Sequence, residues 1–160
     1  MSFIVQSTFD KYQSKGQVGQ VSRASLPFTL DSNGYVAFEK LKPSYGVYKE
    51  AGGKYAKPTD LDTQARVMGV VHGRTADINS NNGSIVISPN EEFEIMTQGH
   101  MYVELSENVL KGDMAFPDVA GNGGWLTAVP TGAISNPITF EESGSAGEIV
   151  SIRINGQISA

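Results

Sequence analysis

Eighteen glycines and seven prolines are spread along the whole 160-residue chain, and they seldom leave ten clean residues between them. Either residue weakens or breaks a helix interior, whereas tight turns between strands require them. The chain is therefore predicted to be all-β, a single domain of short strands and hairpins. Asn33-Gly34 and Asn82-Gly83 each stand beside β-formers, Tyr35-Val36-Ala37-Phe38 and Ser84-Ile85-Val86-Ile87, as hairpin turns do. Pro89-Asn90 opens a further turn, and Gln98-Gly99 reads as the tip of another hairpin.

Between these turns the side chains alternate with a period of two, which places one set on a buried face. Phe93 and Ile95 alternate with Glu92 and Glu94, then Met101, Val103 and Leu105 follow Gly99. Val150, Ile152 and Ile154 make the clearest strand, closed by Asn155-Gly156. Two stretches read as copies of one unit, each a strand, a glycine turn, a strand closed by proline, a linker and a third strand. The first runs from Tyr45 through Gly52-Gly53 and Pro58 to Val71, and the second from Lys111 through Gly121–Gly124 and Pro130 to Phe140. In the first linker, residues 59–63 predict a short helical turn capped by Thr59 or Asp60. Residues 1–15 are polar and irregular apart from Phe3, Ile4, Val5, Phe9 and Tyr12, and read as an N-terminal arm on a body spanning 16–160.

Charge and composition narrow the function. The net charge is -5 with Lys and Arg scattered, whereas a phosphate backbone demands a positive face, so nucleic acid is not an expected partner. No stretch approaches the ~20 apolar residues of a membrane span, and Met1–Gln6 does not begin a signal peptide, so a soluble chain is expected. The absence of cysteine removes disulfides, thiolate nucleophiles and sulfur-bound zinc.

The remaining chemistry is sparse. His72 and His100 each neighbour a glycine and read as surface or rim residues. Asp60-Leu61-Asp62 could open a calcium loop, but the place of the twelfth-position glutamate is taken by Val71. Glu91, Glu92, Glu94, Glu141 and Glu142 read as strand-edge charges that discourage aggregation. The glycine run before Trp125 leads into a strand and not a helix, so it does not form a phosphate loop. Trp125 itself reads as core or rim packing, with ligand stacking the lesser alternative. No catalytic residue, cofactor or metal ligand is expected, and the chain reads as a non-enzyme.

The order of these pieces resembles the tailed-bacteriophage capsid cement, or decoration, proteins. The resemblance is carried by Lys15–Val21, Pro43–Tyr48, Arg66–Val71, Glu92–Val103, Val109–Phe116 and Gly147–Ile154. It implies a β-barrel or jelly-roll body, self-association as a homodimer or homotrimer, and attachment to the major capsid protein on the capsid exterior of a virion assembled in the host cytoplasm. Phe3, Ile4, Val5, Phe9 and Tyr12 of the arm are the first candidates for contact with the capsid or a neighbour, and residues 75–84 the second. The alternatives are another phage structural β-module, of tail or baseplate, and a carbohydrate-binding module.

Overall fold

The computed structural model describes residues 18–22, 28–31, 35–73, 86–120, 123–128 and 132–155. It is all-β apart from one short helix. The strands are β1 (Thr29–Asp31), β2 (Gly46–Lys49), β3 (Tyr55–Ala56), β4 (Gly69–Val71), β5 (Ile95–Glu104), β6 (Phe116–Pro117), β7 (Trp125–Leu126), β8 (Ile138–Phe140) and β9 (Ile149–Asn155). Helix α1 (Leu61–Ala65) lies between β3 and β4, at the expected turn. Asp60 caps it: its carboxylate accepts from the Thr63 amide at 2.8 Å, while the Thr63 hydroxyl accepts from the Asp60 amide at 3.0 Å.

That cap makes α1 sensitive to acid. The Thr63 backbone N–H, first, and the Thr63 hydroxyl hold the Asp60 carboxyl below its ordinary value of 3.8. A carboxyl depressed in the folded state stabilises it above the ordinary value and loses that contribution as pH falls through the folded one. The Asp60 carboxyl is therefore expected to titrate below 3.8 by NMR, with amide exchange at Thr63 rising over the same range. Asp60→Asn should abolish that dependence; a titration at or above 3.8 would contradict the cap.

The ladders form two equivalent rings. In the first, residues 36–37 pair in parallel with β3 at Ala37 and Tyr55. β3 pairs with β2, β2 with β4, and β4 with the start of β5. The segment leading into β5 returns to the beginning through Val36 and Glu92. The second ring repeats each step: Leu105 pairs in parallel with Trp125, β7 with β6, and Met114 with Thr139 of β8. β8 then pairs with β9, and β9 returns through Ile149 to Glu104. Local bonds repeat as well. The Ser88 amide donates to the Glu91 carboxylate as the Ser145 amide does to Glu148. Leu41 and Ile87 exchange backbone bonds, as do Val109 and Gly144. Positive φ recurs at Ser44 and Gly112, at Asn90 and Gly147, and at Gly53 and Gly123. The repetition expected from residues 45–71 and 111–140 is thus present, and extends further in both directions.

Each ring has its own core. Tyr35, Ala37, Leu41, Val47, Tyr55, Val71, Phe93 and Ile95 cluster in the first. The matching positions in the second are Val103, Leu105, Val109, Ala115, Trp125, Phe140, Val150 and Ile152, and every one belongs to the other cluster. That second cluster also takes in Val67, Val70, Met96, Met101, Ile138 and Ile154. β5 serves both rings: Ile95 packs in the first core, while Met96, Met101 and Val103 pack in the second. The strand therefore runs straight through Gly99, correcting the hairpin tip expected there. A Cβ on Gly99 would lie 2.7 Å from Cβ of Phe28, so the glycine answers a close crossing and not a turn. Cross-ring polar contacts add to the join. Gln64 Nε2 of α1 donates to the Pro117 carbonyl at 2.6 Å, and the Ser135 amide to the Ala65 carbonyl at 2.8 Å.

Candidate functional site

The first contact candidates, Phe3, Ile4, Val5, Phe9 and Tyr12, and the second, residues 75–84, lie outside the described residues. The Asn33-Gly34 and Asn82-Gly83 turns do too. Other expected features are placed clearly. Trp125 is wholly buried, with its indole N–H donating to the Ser44 carbonyl at 2.9 Å. It is core, as the commoner expectation had it. Asp60 and Asp62 belong to the cap and first turn of α1.

The strand-edge reading of the acids is corrected at Glu91 and Glu141. Glu91 folds back to accept a backbone N–H three residues earlier, which closes the turn before the last strand of its ring, as Glu148 does in the other ring. Glu141 turns inward, leaving only 12% of its side chain exposed, and His100 faces it with 11% exposed. The rim reading of His100 is corrected with it. Nδ1 of His100 lies 2.6 Å from Oε1 of Glu141, and the Ser151 hydroxyl donates to the same oxygen at 2.6 Å. Ser22 Oγ lies 2.5 Å from Ser151 Oγ. The pairing follows from register, because His100 on β5 stands opposite Arg153 on β9, one pleat from Ser151.

This network holds serine, carboxylate and imidazole, the residue types of a hydrolase triad, but in a different order. In a triad the imidazole lies between the nucleophile and the acid and takes the hydroxyl proton. Here the carboxylate lies in the middle, and the buried Ser151 hydroxyl is directed at it. The arrangement fastens the segment 18–22, β5, β9 and the turn after β8 to one another. Sequence reasoning missed it because the participants are separated by up to 129 residues. Among the described residues, no group of three or more His, Asp and Glu side chains is placed to hold a metal ion. Nor, among them, is any helix long and apolar enough to cross a membrane.

What the described surface offers is outward-facing apolar side chains at separate places along the chain. Leu110 is 67% exposed and Phe38 53%, followed by Leu61, Phe28, Val86 and Val119. Exposed apolar groups of this kind suit contact with protein surfaces better than enclosure of a small molecule. The chain matches a known family. The model of the phage cement family, described as structural cement protein (E217 gp24/Pam3 gp6), matches residues 5–155. No curated protein matches the chain.

Proposed function

The chain belongs to the phage structural cement protein family, and from that premise we propose that it binds the outside of an assembled tailed-phage head and ties neighbouring major capsid protein subunits together. The match over residues 5–155 carries this reading. It takes in Val5, Phe9 and Tyr12 of the N-terminal arm, so most of the arm falls within the family's span as well as the two rings. In this reading the protein is not an enzyme and does not bind nucleic acid. It works as a homo-oligomer, with the arm contacting the shell or a neighbouring copy.

The physical basis is linkage. A protein that binds the closed shell and not free subunits stabilises the shell, by about 2.7 kcal/mol per site at a free concentration of 100 times Kd. Many copies acting on one lattice add avidity. Short strands joined by tight turns suit such a part, since a preorganised surface loses little conformational entropy on docking.

Heads lacking this protein, incubated with it, are expected to bind it at near-stoichiometric copy number on sedimentation and to release DNA at a higher temperature. Deleting residues 2–14 should weaken both effects. Absence of the full-length chain from sedimented heads would remove the cement reading. Unchanged binding and shell stability after the deletion would remove only the role of the arm.

A further inference from the structure

Residues 18–22 are held differently from the two rings. They lie along β5 as a short extended segment, bridged at Val21 and Met101. The Gly19 and Ser22 amides donate to the Tyr102 and His100 carbonyls at 2.9 and 3.0 Å. In return, the Tyr102 and Gly73 amides donate to the Gln20 and Gly19 carbonyls, each at 3.0 Å. Of the five residues only Gly19 is buried, and Val21 packs against the second core while partly exposed. Lifting the segment would break these bonds, yet it would withdraw no wholly buried side chain. β5 would stay paired with β9 from Gln98 to Glu104. A stretch with few buried contacts opens at a lower cost than the fold as a whole.

One side chain opposes that opening. The Ser151 hydroxyl has a single proton, and it is directed at Glu141 Oε1. In the contact between Ser22 and Ser151, Ser22 is therefore the donor. The protons run one way, from Ser22 to Ser151 and from Ser151 to the carboxylate, whose same oxygen also meets His100. Ser151 is 4% exposed, so lifting the segment takes the donor from a buried acceptor, and that loss favours the closed form.

We propose that residues 18–22 are a latched strap, which opens and closes on β5 as a unit while both rings stay folded, with the Ser22 hydroxyl as its latch. This is a property of the free chain and does not rest on the cement reading. Where that reading holds, the strap sets the reach of the arm at residues 1–15, because five residues released in extended form add roughly 17 Å.

The test is amide hydrogen exchange of the full-length protein, followed residue by residue by NMR at low urea concentrations. The amides of Gly19, Ser22, Gly73 and Tyr102 should share one opening equilibrium with a shallow urea slope, since strap opening exposes little surface. Phe93 and Leu105, whose amides are bonded within the first and second rings, should exchange more slowly and with a steeper slope. Ser22→Ala is expected to speed exchange at the four strap amides about three- to tenfold. Ser22→Thr, which keeps the hydroxyl, should retain the parent's protection. Thr29→Ala, which removes a hydroxyl that reaches Gln98 of the same strand, should leave the four unchanged. A urea slope at the four equal to that of Phe93 and Leu105 would overturn the strap. Exchange unaltered by Ser22→Ala, or raised as much by Ser22→Thr, would overturn the latch.

Discussion

Replacing Trp125 with alanine is expected to lower folding stability by about 4 kcal/mol, within the range for truncating a buried aromatic. For a chain of this length the melting temperature should fall by roughly 10–15 °C. Trp125 is wholly buried and belongs to the larger cluster, with Val103, Val150 and Phe140. Its N–H is also the donor to the Ser44 carbonyl in the first ring. The loss therefore combines a cavity with an orphaned carbonyl, and neither is easily repaired in a closed ring of short strands. Trp125→Phe should fall between, keeping most of the volume but not the donor. Leu110→Ala, at a side chain 67% exposed, should change stability by no more than about 0.5 kcal/mol. Thermal unfolding followed by circular dichroism gives the comparison. Equal melting temperatures for Trp125→Ala and Leu110→Ala would contradict the core described here.

Asn136 is expected to be nearly as sensitive despite being polar. It is 3% exposed, and its amide nitrogen donates to the Met68 carbonyl at 2.9 Å and to the Thr97 carbonyl at 3.0 Å. These acceptors lie just before β4 and within β5, so one side chain from the approach to β8 joins the first ring to the second. Asn136→Leu, close in size but without a donor, leaves two carbonyls unpaired. At about 1–3 kcal/mol for each orphaned group, the loss should be roughly 2–6 kcal/mol. Amide hydrogen exchange should rise first at residues 69–71 and 95–98, where the rings meet, before it rises at Ile152. A variant with native stability and unchanged exchange there would show that the amide is not needed to join the rings.

The repeat shows why part of this was hard to read from sequence. The first ring fills its core with three rings, Tyr35, Tyr55 and Phe93, with Tyr35 and Tyr55 packed edge-to-face at 4.8 Å. The second fills the matching space with Trp125 between Val103 and Val150. Packing is governed by total volume, so different side chains can complete the same space and erase the likeness position by position. The turns kept it better, as Ser88-Pro89-Asn90-Glu91 and Ser145-Ala146-Gly147-Glu148 still align. Even there, the bond from serine to glutamate is visible only once the backbone folds.

The amino-acid order by itself determined the all-β class, the turns at Pro89-Asn90 and before Trp125, the capped helix at Asp60 and the burial of Trp125. Each depends on local backbone preference or on side chains a few residues apart. The tertiary structure decided that Gly99 lies inside a strand, that Glu141 grips His100 and Ser151 and that Asn136 joins two rings. These are contacts between residues far apart in the chain, and they exist only after ring closure has met the entropy cost of bringing distant segments together.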